Sequence, residues 1–294
     1  MRTVVRTFAG SLFGAVAFFA IACVLAGQLG WTASAACPFQ WQGLGFVALA
    51  FFCEYVDSTL GMGYGTALTP LLMLLFDLEP LVVVPCILLS ELITGLSAGV
   101  AHHVAGNVSF TRDSRATWVA ATLSACSVVG AAAAVWVAVN IPKVYLKITI
   151  GVIVLSMGVF ILAAAGRVFR FSWGRITGLG LLAAFNKGLS GGGYGPLITG
   201  GQILSGVEEK NAIGICSVSE GVTCIVGLIT YVIAGKAIAW DLAVPLTLGA
   251  FASVPVSAVT VNRISARRLR LLIGVLTAAL GTLTLVQILA KVLH

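Results

Sequence analysis

Gly61-Met62-Gly63-Tyr64-Gly65 and Gly191-Gly192-Gly193-Tyr194-Gly195 are two glycine clusters of the same form, 130 residues apart, each set inside an apolar stretch. Glycine lowers helix stability by about 1 kcal/mol per residue against alanine, so three or four within five positions break a helix. Both clusters are flanked by short apolar runs: 43–56 and 66–76 around the first, 174–187 and 196–206 around the second. A run of 14 residues makes about 21 Å of helix, short of the ~30 Å hydrocarbon layer.

The rest of the chain explains why a membrane is the frame of reference. Of 294 residues, 59% are hydrophobic and 9% charged, and the mean hydropathy is +1.07. Soluble domains carry about 25% charged residues. Longer apolar runs at about 5–30, 80–104, 116–139, 144–165, 209–234, 241–261 and 270–290 are each long enough to cross. Arg2 and Arg6 before the first run, with Ala33-Ser34-Ala35 after it, resemble a signal peptide, but the run exceeds the usual ~7–15 residue core. A retained first helix over 1–42 is expected.

The net charge of +7 sits mostly between the apolar runs, a pattern of membrane orientation that argues against a nucleic-acid partner. The seven cysteines form no CxxC pair and no zinc spacing, and read as small buried hydrophobes. No cofactor or metal motif is present. HExxH and Walker patterns are absent, and the chain is not read as an enzyme. A potassium filter needs four GYG loops in a ring, and two copies do not supply one.

Each short pair flanking a glycine cluster either crosses the membrane as one broken helix or dips in and returns. With a cytoplasmic N-terminus and both pairs returning, 12 Lys and Arg lie inside and 4 outside; with both crossing, the split is 9 to 7. The positive-inside rule selects the returning hairpin, with the C-terminus outside.

The repeat extends beyond the clusters. Ser90-Glu91-Leu-Ile-Thr94 matches Ser219-Glu220-Gly-Val-Thr223 at an offset of 129, and Lys147-x3-Gly151 matches Arg270-x3-Gly274 at 123. The expected fold class is therefore an all-α polytopic membrane protein with an inverted-topology repeat. Each unit, 43–170 and 171–294, is a re-entrant broken hairpin plus three crossings. One extra N-terminal helix stands outside the repeat. An odd number of crossings per unit brings the second hairpin in from the opposite face.

A broken helix leaves backbone groups that cost several kcal/mol each in hydrocarbon unless they line a cavity or meet a ligand. The half-helices after the breaks present free N–H groups and a partial positive charge, so two such starts meeting at mid-membrane would bind an anion. Close helix packing by glycine is the competing reading. Candidate substrate contacts are Ser58, Thr59, Gly61, Gly63, Tyr64 and Gly65 at the first break, and Asn186, Lys187, Ser190, Gly191, Gly192, Gly193 and Tyr194 at the second. Lys187 either contacts the substrate or forms an ion pair with Asp57, which falls opposite it when the clusters are aligned. Glu54, Asp57, Glu91 and Glu220 are candidate proton carriers, since burial disfavours a charged carboxylate. Glu91 and Glu220 would equally serve by accepting backbone N–H bonds from the broken loops. His102 and His103 are expected at the interface, unliganded.

The paired G-x-G-Y-G hairpins, the Ser-Glu helix after each, and the closing basic-x3-Gly helix resemble the TauE/SafE family of sulfite and organosulfonate exporters, over about 43–292. That resemblance implies proton-coupled movement of small sulfur oxyanions through the bacterial inner membrane. The partners expected are a small anionic substrate and the lipid bilayer. A homo-oligomer stays open, as do two other functions: a divalent cation permease using the four carboxylates, and a membrane scaffold without transport.

Overall fold

The computed structural model describes residues 41–112, 114–163, 172–204, 207–260 and 266–293. The expected first helix lies outside the described residues. Within them the chain is all-helical. The helices are α1 (Trp41–Leu60), α2 (Tyr64–Leu75), α3 (Pro80–Val104), α4 (Arg115–Asn140) and α5 (Lys143–Ala163), then α6 (Trp173–Ser190), α7 (Tyr194–Leu204), α8 (Glu209–Ile233), α9 (Trp240–Thr260) and α10 (Ala266–Leu293). Six of the described helices are long and apolar enough to cross a membrane.

Both glycine clusters interrupt helices as expected. α1 ends at Leu60 and α2 begins at Tyr64; α6 ends at Ser190 and α7 begins at Tyr194. The first glycine of each break is left-handed, Gly61 at φ 69° and Gly191 at φ 73°, a conformation that costs other residues 1–2 kcal/mol. Its N–H closes the preceding turn, Gly61 onto the Asp57 carbonyl and Gly191 onto the Lys187 carbonyl. α1 and α6 are longer than their apolar runs, at 20 and 18 residues. Helix forms through Glu54, Asp57 and Ser58 because those side chains find partners inside the bundle.

Small residues set the helix pairs. Gly95 packs against Ser217 and Gly221, Gly99 against Val218, and Gly227 against Leu88, so α3 and α8 run antiparallel. Gly151 meets Leu285 and Gly158 meets Ala278, so α5 and α10 do the same. Gly180 lies on Leu123 and Gly188 on Ala131, which makes α4 and α6 parallel. Gly249 rests on the backbone of Val47 and joins α9 to α1. Without a hydrophobic drive between helices in lipid, such close backbone approach supplies the packing energy. Further contacts join α9 to α3 and α4 to α8; exchanging the first five helices for the last five turns α1 with α9 into α6 with α4 and α3 with α9 into α8 with α4, and leaves the α3–α8 and α5–α10 pairs as they are.

The core lies where α3 and α8 meet the two breaks. Tyr64 centres one buried apolar cluster with Leu68, Ile87 and Leu246, and Tyr194 centres another with Leu123, Ile198 and Cys216. Outward-facing residues are apolar instead: Phe52, Val129 and Ile233 are 65–80% exposed. Trp118 and Trp173 at the starts of α4 and α6, and Trp136 and Tyr145 at the opposite end, are also exposed, as in an aromatic belt.

Candidate functional site

The two breaks touch each other. A methyl group on Gly65 would stand 2.6 Å from the Gly191 carbonyl carbon and 3.0 Å from the Gly192 Cα. One on Gly195 would stand 2.6 Å from the Met62 Cα. The gap between the tips is thus filled by backbone. The glycines at 65, 192 and 195 serve close packing, the reading that competed with a ligand site.

Threonines staple the tips together. Thr69 Oγ1 donates to the Ser190 carbonyl at 2.8 Å, and Thr199, 130 residues on, donates to the Gly61 carbonyl at 2.8 Å. Gly193 N donates to Thr66 Oγ1 at 2.9 Å. That staple has no mirror image, because Pro196 stands where the second half would need a threonine.

At the first break Ser58 Oγ donates to Glu54 Oε1 at 2.6 Å, one turn back. Asp57 Oδ1 accepts from the Tyr64 N–H at 3.2 Å, so an internal carboxylate already occupies the positive start of α2. Thr59 donates to its own helix at the Tyr55 carbonyl. Ser190 Oγ donates to the Asn186 carbonyl at 2.8 Å and accepts from Gly192 N at 3.1 Å. The Thr59 and Ser190 hydroxyls, both candidate substrate contacts, are therefore committed to local backbone. The Asn186 side chain lies beside Gly193.

Lys187 is fully buried and forms ion pairs with Glu91 and with Glu220, the latter at 2.8 Å. Its partners are not Asp57, and the two glutamates take the lysine rather than backbone N–H groups. Glu91 and Glu220 occupy equivalent places on α3 and α8, which the antiparallel crossing brings face to face. Lys187 thus bridges the two halves. Glu54, Asp57, Glu91 and Glu220 all line one pocket of about 10 Å³, with Thr94, Gly95, Ala98 and Ser217. That is near the volume that holds one water. Glu54 Oε2 has no hydrogen-bond partner there. Among the described residues, no three His, Cys, Asp or Glu side chains stand close enough to hold a metal ion.

Tyr64 Oη and Ser90 Oγ are hydrogen-bonded at 2.8 Å. The equivalent Tyr194 stands beside Ser219 and Thr223, which correspond on α8 to Ser90 and Thr94 on α3. His102, expected at the interface, is instead 1% exposed and bonded to the Ser58 carbonyl at 3.1 Å. Thr66, Thr69, Thr199 and His102 were not among the candidate contacts. The signal for the threonine pair was present, since Thr69 and Thr199 continue the 130-residue offset of the glycines.

A bundle of apolar helices with a lipid-facing belt and buried charges at two helix breaks has the build of a multi-pass membrane transporter. The chain belongs to the sulfite exporter TauE/SafE family, whose model its residues 46–284 match. It is also similar to the probable membrane transporter protein YtnM of Bacillus subtilis (strain 168), at 24% identity over 256 residues, 82% of each chain. No solved structure matches it.

Proposed function

We propose that the chain exports small sulfur oxyanions, sulfite or organosulfonates, across the bacterial inner membrane by proton-coupled alternating access. The observation that carries this reading is Lys187, the one cation wholly buried among the described residues, clasped by glutamates from both halves. A charge this deep is expensive and is kept for work on ions. Four carboxyls and one ammonium share the cluster, so admitting an anion there calls for protons on the carboxyls. Protonation of Glu91 or Glu220 releases Lys187 to meet the oxyanion. Parting of the tips then exposes the N–H groups at the starts of α2 and α7.

The inverted repeat supports this cycle. α8 begins against the segment following α3, with Gly214 beside Val108, and α6 begins level with the start of α4. Only residues 205–208 separate α7 from α8. At no more than ~3.6 Å per residue, that link is too short to recross the membrane. This supports a placement in which α6 and α7 enter and leave on one side. α1 and α2, by the same reasoning through α9 and the start of α3, enter from the other. The proposed arrangement has an N-terminal helix in 1–42, units 43–170 and 171–294, a cytoplasmic N-terminus and an outer C-terminus.

Sulfite efflux from proteoliposomes tests the reading. Lys187→Ala, at normal yield, should abolish it, and a wild-type rate would reject the assignment. Efflux indifferent to an imposed pH gradient would reject proton coupling. A second reading is a divalent cation permease: the four carboxylates line one pocket, but no three of them stand close enough to hold a metal ion, so they would have to move together to bind one. Binding of Mn²⁺ rather than sulfite to the purified protein would select it.

A further inference from the structure

The last four carbonyls of any helix lack partners within it. In α1 and α6 those carbonyls lie deep in the bundle, where water does not reach, and each must be met by protein. Some are met by the glycine turns and the threonine staples. Two others, Ser58 and Gly188, stand at equivalent positions 130 residues apart. The Ser58 carbonyl accepts from His102 Nε2 at 3.1 Å, and the Gly188 carbonyl accepts from Tyr231 Oη at 3.0 Å. His102 and Tyr231 are themselves equivalent, at the same offset of 129 that relates Glu91 to Glu220.

The chemistry of each donor is settled locally. Asn107 Nδ2 stands 3.0 Å from His102 Nδ1, and an amide NH2 can only donate, so Nδ1 accepts and Nε2 carries the proton. His102 is therefore a neutral donor to Ser58. Glu54 and Asp57 are the charged groups near it on α1, His103 neighbours it on α3, and α8 presents Gly214 to it. Tyr231 is fully buried and bonds through its hydroxyl.

We infer that His102 and Tyr231 are positioning residues that fasten each broken hairpin to the crossing helix carrying its glutamate. α3 holds Glu91 and His102; α8 holds Glu220 and Tyr231. Eleven residues separate glutamate and tether in both, about 16 Å along the helix. A shift of the glutamate helix is thereby passed to the tip of its own hairpin. The tether itself needs no substrate; only its use during transport rests on the proposed function.

Hydrogen–deuterium exchange on the purified full chain tests it. Tyr231→Phe removes one oxygen and should speed exchange of amides in 187–193 by about fivefold, the ratio for one net hydrogen bond. Exchange in 57–63 should stay within twofold. His102→Phe should do the reverse, and His102→Gln, which keeps an N–H donor, should restore slow exchange. In proteoliposomes, Tyr231→Phe should lower the maximal sulfite efflux rate and leave half-saturation unchanged. Unchanged exchange at 187–193 in Tyr231→Phe, or equal loosening of both tips, would overturn the tether. An altered half-saturation with normal exchange would overturn the positioning role in favour of substrate contact. Should sulfite not be transported at all, the exchange experiment still decides the tether.

Discussion

Replacing Gly65 with alanine probes the tip contact with a single methyl group. Gly65 sits in the first turn of α2 at an ordinary helical φ, so the substitution adds no backbone strain. The new Cβ would lie 2.6 Å from the Gly191 carbonyl carbon, where contact begins at about 3.4 Å. Backbone faces backbone, and no side chain can swing aside. The methyl would also overlap the Gly191 carbonyl oxygen, so the tips must separate by more than ~0.8 Å. Two staples then stretch beyond hydrogen-bond range: Thr69 Oγ1 to the Ser190 carbonyl, now 2.8 Å, and Gly193 N to Thr66 Oγ1, now 2.9 Å. Two lost buried hydrogen bonds, each leaving a polar group unmet, cost roughly 3 kcal/mol together. At about 2–4 °C per kcal/mol, the thermal midpoint of the detergent-purified protein should fall by about 6–12 °C. Gly178→Ala on α6, where no atom lies within 4 Å of the added methyl, is the control and should match or slightly exceed wild type. If Gly65→Ala melts with Gly178→Ala, the tips are not in contact and the packing reasoning fails.

Lys187→Met should destabilise the protein by about 3–5 kcal/mol, because it leaves Glu91 and Glu220 buried without their cation. Adding Glu220→Gln should recover part of that loss, and strictly additive effects in chemical denaturation would deny the ion pair. Thr69→Val should cost about 1–3 kcal/mol by orphaning the Ser190 carbonyl, whereas Thr149→Val, at an exposed hydroxyl bonded within its own helix, should be near neutral in the same melt. In a cysteine-free background, Gly106→Cys should react with a membrane-impermeant maleimide only from the cytoplasm and Lys236→Cys only from outside. Labelling of both from one side would refute the inverted arrangement.

Much of this was written openly in the sequence. The glycine clusters, the positions of the helices and the Ser-Glu equivalence all follow from composition and offset, because they rest on local breaking of helices and on a repeated pattern. The partner of Lys187 did not follow. Aligning the clusters sets Asp57 opposite it, but a charge pair is decided by which helices cross, and the crossing of α3 with α8 delivers Glu91 and Glu220 instead. The role of His102 was hidden for a simpler reason. The comparison of α3 with α8 stopped at Thr94 and Thr223, and eight residues further the same offset joins His102 to Tyr231. Two side chains so unlike in type share no letter pattern; they share a hydrogen-bond donor at one height. α1 runs on to Leu60, past the apolar stretch 43–56, because its polar residues Glu54 and Ser58 satisfy each other within the helix.

The contact between the tips also bears on how the protein is made. The Gly61 carbonyl finds its donor on Thr199, which a ribosome adds 138 residues later. At about 5–20 residues per second, that interval is roughly 7–28 s. During it the first hairpin has reached the membrane with Glu54 and Asp57 but without Lys187, Thr199 or the second tip. Biogenesis therefore depends on an insertion site wet enough to hold an unfinished polar hairpin, and the second half acts for the first as a late-arriving template.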